Sequence, residues 1–271
     1  MPRTVVITGA SSGIGLAAAT QLAACGDRVV LVGRDPGRLA AAVSQVRAAA
    51  VDGVEPAHFR ADFEVLDDVR RLAERLLAAY PSIDVLANNA GGMIGTYRRT
   101  VDGFEATVQS NHLAPFLLTH LLLDRLRGGR VVNTASIAHL VGALDPDDFV
   151  GSPGRYLRWP AYCSGKTANI LFTAEAARRW PDVCSVAFHP GIVRSNFGAG
   201  ALTRFFFRFN PLLTTPRTAG ALLVWLATAP AEELVRGGYY VGRRPARPAS
   251  HATDPATAAK LWDASTEAVG R

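Results

Sequence analysis

Thr4-Val5-Val6-Ile7-Thr8, followed at once by Gly9-Ala10-Ser11-Ser12-Gly13-Ile14-Gly15, reads as a buried strand running into a glycine-rich turn. The segment from Gly13 to Cys25 then reads as a helix, which Gly26-Asp27 stops. Glycines permit a tight turn and let the backbone come close to a pyrophosphate. The helix N-terminus adds unpaired N–H groups and a partial positive charge. The spacing is G-x-x-x-G-x-G rather than the commoner dinucleotide pattern G-x-G-x-x-G. A purely structural turn is the competing reading. The position between an opening strand and a helix favours phosphate binding, with Gly9, Ser11, Ser12, Gly13, Ile14 and Gly15 at the cofactor.

Outward from this turn the chain alternates short apolar runs with longer helical ones. Strands are expected at 28–32, 55–60, 83–87, 130–133 and 184–188, and helices at 36–50, 65–79, 104–126 and 159–179. Pro115 is expected to kink the long helix at 104–126. This is the rhythm of βαβ units. It predicts an α/β fold, a single-domain Rossmann-type doubly wound parallel sheet with helices on both faces. No internal repeat and no long linker divides residues 1–271, so one domain is expected. Residues 142–159 and 196–216 break the rhythm, and the second stretch is expected to form a small helical lid over the substrate.

Composition narrows the class. Hydrophobic residues make up 49% and charged residues 19%, enough to build a core and too few charges for wholesale disorder. No apolar run is long enough for a transmembrane segment, and no signal-peptide core precedes the first strand, so a cytoplasmic location is expected. The net charge of +6 is scattered, with no Lys/Arg run, which argues against nucleic acid. Three cysteines and six histidines form no ligand pattern, so no metal is expected.

Two constellations carry chemistry. The second strand ends Val32-Gly33-Arg34-Asp35, with glycine where an acid would hold an unphosphorylated ribose. Arg34 suits a 2′-phosphate, favouring NADP(H) over NAD(H). Alternatively Arg34 is a surface residue, and Asp35 contacts the ribose or caps the next helix. Tyr162 and Lys166, four residues apart, share one helix face, and Lys166 is one of only two lysines in the chain. An ammonium beside a phenol should lower its pKa toward neutrality and make it a general acid/base for a carbonyl–alcohol pair.

With these motifs in order, the chain resembles the classical short-chain dehydrogenases/reductases over nearly its whole length. The resemblance also rests on Asp62, Asn88-Asn89-Ala90-Gly91, Asn111, Ser136 and His189-Pro190-Gly191. It implies that Asn111, Ser136, Tyr162 and Lys166 are catalytic. Ser136 would hold the substrate oxygen, Tyr162 would move the proton, and Asn111 would anchor a water linking Lys166 to solvent. Lys166 would also hold the nicotinamide ribose. Asp62 and Phe63 would meet the adenine, and Asn89, Ala90 and Gly91 would line the cofactor cleft. Pro190, Gly191, Val193 and Ser195 would flank the nicotinamide. Ser136-Ile137-Ala138-His139, Ala161 to Thr173 and Leu261-Trp262-Asp263 resemble the retinol-dehydrogenase-like branch, which implies apolar carbonyl or alcohol substrates and, in its Arg-bearing members, NADP(H).

The expected function is thus an NADP(H)-dependent oxidoreductase interconverting a ketone or aldehyde and an alcohol on an apolar or aromatic small molecule, in the reductive direction. Its alternatives are C=C reduction or another reaction on this fold, and a non-catalytic NADP(H)-binding sensor or scaffold. Met93, His139, Tyr156, Trp159, Phe197 and Phe205 are the expected substrate contacts, with a structural histidine as the other reading of His139. The Phe205–Phe209 cluster reads as lid packing or, less readily, as peripheral membrane contact. A homodimer or homotetramer would be in keeping with the resemblance.

Overall fold

The computed structural model describes residues 2–51, 54–193 and 213–270. Strands β1 (Thr4–Thr8), β2 (Arg28–Gly33), β3 (Ala57–Arg60), β4 (Val85–Asn88), β5 (Arg130–Thr134), β6 (Cys184–His189), β7 (Tyr239–Val241) and β8 (Arg244–Ala246) form one sheet. Their order is β3-β2-β1-β4-β5-β6-β7-β8. Every pairing is parallel except β7 with β8. All five residues of β1 are β-branched and all are buried, as a central strand covered on both faces requires.

Helices α1 (Gly13–Ala24), α2 (Pro36–Ala49) and α6 (Pro216–Thr228) cover one face. Gly220 sits against α1 so closely that a Cβ would lie 2.9 Å from the Ala18 amide nitrogen. The other face carries α3 (Leu66–Ala79), an interrupted helix α4, α5 (Arg158–Arg179) and α7 (Pro255–Ala268). Each set packs one contiguous core on its side of the sheet. The strand order reverses direction between β1 and β4, which opens a crevice at the carboxyl ends of the strands.

Two corrections to the sequence reading concern elements. The helix expected over 104–126 with a kink at Pro115 is α4 in pieces: Ala106–Val108, a π-helical turn Gln109–Leu113, Ala114–Leu121 and a last 3-10 turn Leu123–Arg125. The break precedes Pro115 because proline lacks an N–H and its ring collides with the carbonyl four residues back, that of Asn111. The second correction is at the C-terminus, where α6, β7, β8 and α7 extend the sheet by two short strands and add a helix to each face. The lid expected over 196–216 lies outside the described residues as far as 212. No helix among the described residues is long and apolar enough to cross a membrane.

Candidate functional site

The loops after β1 to β6 meet over the crevice and enclose a cleft of about 680 Å³. The turn after β1 forms its floor. Gly9, Ser11, Ser12, Gly13 and Ile14 line it, and Ser12 opens α1 without a side-chain cap or an acid in the first turn. The N–H groups at that helix end are therefore free to meet an anion. Gly15, expected at the cofactor, sits behind the turn instead. A Cβ there would fall 2.5 Å from the Gly9 carbonyl and 2.6 Å from Asn89 Nδ2, so the residue lets the turn fold onto the loop after β4.

That second loop is bound to the end of β1. The Thr8 hydroxyl accepts from the Asn89 and Ala90 amides at 3.0 and 2.9 Å, and Asn89 Nδ2 donates to the Thr8 carbonyl at 3.0 Å. Asn89, Ala90 and Gly91 line the cleft, whereas Asn88 points into the sheet. There Asn88 Nδ2 bonds Asn133 Oδ1 and Thr119 Oγ1.

Arg34, Asp62 and Phe63 line one end of the cleft. Arg34 Nη1 pairs with Glu64 at 3.0 Å and lies 3.8 Å from Asp62 Oδ1. Asp35 accepts the Arg38 amide at 2.8 Å as the N-cap of α2 and also lines the cleft. Pro190, Gly191 and Val193 line the far end. Ser195 lies outside the described residues.

The chemistry sits where β5, α5 and β6 converge. Ser136, Tyr162 and Lys166 all face the cleft. Ser136 Oγ caps the short turn Ile137–Val141 by accepting the Ala138 amide at 3.2 Å. Lys166 Nζ donates to the Thr134 carbonyl at 3.0 Å and lies 5.4 Å from the centre of the Tyr162 ring. Burial pushes the Lys166 ammonium down to about 8. The expected fall of the Tyr162 pKa is not present. Burial drives the phenol up to about 12, and its hydrogen bond with Ser136 only partly opposes that. A phenolate stripped of water costs more here than Lys166, turned to a carbonyl, gives back.

Asn111, 1% exposed, does not line the cleft. Its amide clamps Gly92 on both sides, donating to the Gly92 carbonyl at 2.8 Å and accepting the Gly92 amide at 3.1 Å. It also donates to the Thr107 carbonyl. Its side chain thus positions the β4 loop.

Of the expected substrate contacts, Met93 and Trp159 line the cleft. Trp159 is 48% exposed and its ring is tilted 30° from that of Tyr162 at 5.9 Å. His139 and Tyr156 are corrections. His139 is 2% exposed, donates from Nδ1 to the Ser136 carbonyl at 2.7 Å and accepts the Ala249 amide on Nε2 at 3.2 Å. Both ring nitrogens serve the backbone, so it is a structural histidine. Tyr156 gives its hydroxyl to the Ile94 carbonyl at 3.0 Å and shares it with Thr107 Oγ1. It pins one loop to another. Phe197 and Phe205 lie outside the described residues. Glu64, Ile137, His189 and Ile192 also line the cleft, with no site role assigned to them from the sequence. Ile137 and His189 stand inside the Ser136–His139 and His189–Gly191 motifs, and Glu64 carries a charge two residues beyond Asp62 in the turn after β3.

A family model for short chain dehydrogenase matches residues 3–202. A protein of Streptomyces sp. (strain C5), provisionally named daunorubicin C-13 ketoreductase DnrU, is 54% identical over 268 residues, covering 99% of this chain and 93% of its own length. Human retinol dehydrogenase 12 is 37% identical over 275 residues, 99% of this chain and 86% of its own. A crystal structure of an uncharacterized protein from Mycobacterium paratuberculosis superposes with a TM-score of 0.81 at 34% identity, covering 99% of this chain and 93% of the other.

Proposed function

Because the chain belongs to the short chain dehydrogenase family, within its retinol-dehydrogenase-like branch, and is a carbonyl–alcohol oxidoreductase, we propose that it is an NADP(H)-dependent reductase of ketones or aldehydes on apolar or aromatic molecules. The observation that carries this reading is the convergence of Ser136, Tyr162 and Lys166 on one cleft whose other end holds Arg34 beside an uncapped helix.

The residues suit a dinucleotide. The free N–H groups of α1 match a pyrophosphate, and Arg34 matches a 2′-phosphate. An acid in place of Gly33 would meet resistance, since even a Cβ there falls 3.2 Å from Ser11 Cβ and Oγ. Asp35, which also lines the cleft, gives one carboxylate oxygen to the cap of α2, which makes it a weaker partner for an unphosphorylated ribose. The bound cofactor supplies hydride to the carbonyl carbon. Ser136 Oγ donates to the carbonyl oxygen as negative charge builds on it. Tyr162 Oη, held protonated by burial, then gives its proton to that oxygen. Lys166 would hold the nicotinamide ribose and keep a positive charge near the phenol. Asn111 positions the loop that walls the site.

Protonated Tyr162 is the form that the reductive step needs. Trp159, Met93, Ile137 and Ile192 give the substrate end an apolar rim. The relative named for a C-13 ketone of daunorubicin supports a ketone substrate. Calorimetric titration of the wild type and Arg34→Ala with NADPH and NADH tests the reading, followed by NADPH consumption with aryl ketones. The expected result is NADPH-selective binding that Arg34→Ala weakens far more than it weakens NADH. Equal losses for both would remove Arg34 from the 2′-phosphate site.

A further inference from the structure

The adenosine end of the cleft is not the bare cationic patch that Arg34 by itself would make. Glu64 lies in the turn between β3 and α3, and its side chain is only 11% exposed. One carboxylate oxygen takes a hydrogen bond from Arg34 Nη1 at 3.0 Å. The other is ion-paired with Arg98, which comes from the chain beyond β4. Asp62 Oδ1 stands 3.8 Å from the same Arg34 nitrogen, and Asp35 stands 3.9 Å from Arg38 Nε. Three guanidiniums, Arg34, Arg38 and Arg98, therefore face three carboxylates, Asp35, Asp62 and Glu64. The neighbourhood sums to zero charge where a dianion is to bind.

We propose that Glu64 is a specificity-determining residue whose carboxylate competes with a ribose 2′-phosphate for Arg34. This rests on the cofactor reading above and sharpens it, because it implies less discrimination for phosphorylated dinucleotides than Arg34 would give unopposed. Both recorded contacts of Arg34 use Nη1, so the rest of its guanidinium can reach a phosphate. A phosphate bound there still lies beside a carboxylate of like sign, one whose own side chain is largely buried. Glu64 cannot readily swing away, since Arg98 holds its second oxygen. An unphosphorylated ribose carries no charge at that point and meets no such opposition. Asp62 is the weaker competitor. It is farther from Arg34, and its Oδ1 already accepts the Glu64 amide at 3.1 Å.

The test is calorimetric titration of wild type, Glu64→Gln and Arg34→Ala with adenosine 2′,5′-bisphosphate, adenosine 5′-monophosphate, NADPH and NADH. Glutamine keeps the size and an acceptor while removing the charge. Glu64→Gln is expected to tighten the two 2′-phosphorylated ligands by about 5- to 20-fold, the range of one removed like-charge contact, and to change the other two by less than about twofold. An unchanged or reduced preference for the phosphorylated ligands would overturn the competition. The preference of the wild type and the loss in Arg34→Ala judge the cofactor reading separately. A wild type that favours NADH would sink that reading, while a shift toward phosphorylated ligands in Glu64→Gln would still uphold the competition. Should Glu64→Gln fold poorly, Glu64→Ala removes the same charge without leaving a polar amide and should shift the preference toward 2′-phosphorylated ligands in the same direction; no shift would overturn the proposal.

Discussion

Tyr162 carries two opposed influences on its proton. Burial holds the phenol protonated and Ser136 works toward the phenolate. Removing the hydroxyl leaves the ring packing and the cofactor end of the cleft intact. Tyr162→Phe is therefore expected to lower kcat by about 100-fold or more, the usual worth of a positioned acid, while the dissociation constants of NADPH and NADH move by less than about threefold. Steady-state kinetics and calorimetry on the same preparation check both halves. His112 makes a second prediction at this scale. It is fully buried, bonded through Nε2 to Ser265 Oγ at 2.8 Å, and its Nδ1 has no partner among the described residues. Burial pushes its pKa down to about 3 from 6.5. Between those values the unfolded chain takes a proton that the folded chain refuses. Stability should thus fall as pH drops below about 6.5, by up to about 1.4 kcal/mol per unit from this group, and level off near pH 3. His112→Phe should flatten that slope in urea titrations run from pH 7 to pH 4.

At the scale of elements, α2 shows how a side chain beside a cleft can be committed in part to a structural task. Asp35 accepts the Arg38 amide, and Pro36 occupies the first helical position beside it. Asp35→Ala is expected to cost about 1 kcal/mol of stability and to leave NADH affinity unchanged. A large loss of NADH binding would return Asp35 to the ribose. The broken α4 is the second lesson. Its apolar sequence is legible as a helix, and Pro115 marks where it must yield. The π-helical turn that results carries Asn111, and its amide reaches Gly92 across the cleft wall. Nothing in a periodicity of 3.6 residues reveals that the asparagine would clamp a loop.

For the whole molecule, the C-terminal helix α7 closes the core on its face of the sheet. Trp262 packs edge-on against Phe116 at 5.3 Å and Trp180 at 4.9 Å, and Arg179 stacks on its ring at 4.9 Å. These contacts join α4, α5 and α7, three elements distant in the chain. Trp262→Ala should destabilise the domain by about 3–5 kcal/mol and lower its melting temperature by roughly 6–20 °C, with NADPH affinity retained below the transition. Calorimetric melting with and without NADPH measures both. Clear loss of cofactor affinity at low temperature would mean that α7 supports the cleft as well as the core.

The order of strands and helices through β6, the phosphate turn and the Tyr162–Lys166 pair were readable from local pattern alone. Each depends on spacing within a dozen residues, and periodicity and turn chemistry act at that range. The four C-terminal elements were not read, because two three-residue strands carry almost no periodic signal. The fates of His139, Tyr156 and Asn111 depended on backbone groups brought from far along the chain: Ala249, Ile94 and Gly92. So did the pairing of Glu64 with Arg34 and Arg98. The residues themselves name the chemistry available. Only the packed structure decides which polar atoms are already satisfied, because a buried donor or acceptor must find its partner wherever the fold provides one. The groups left over are the ones free to bind and react.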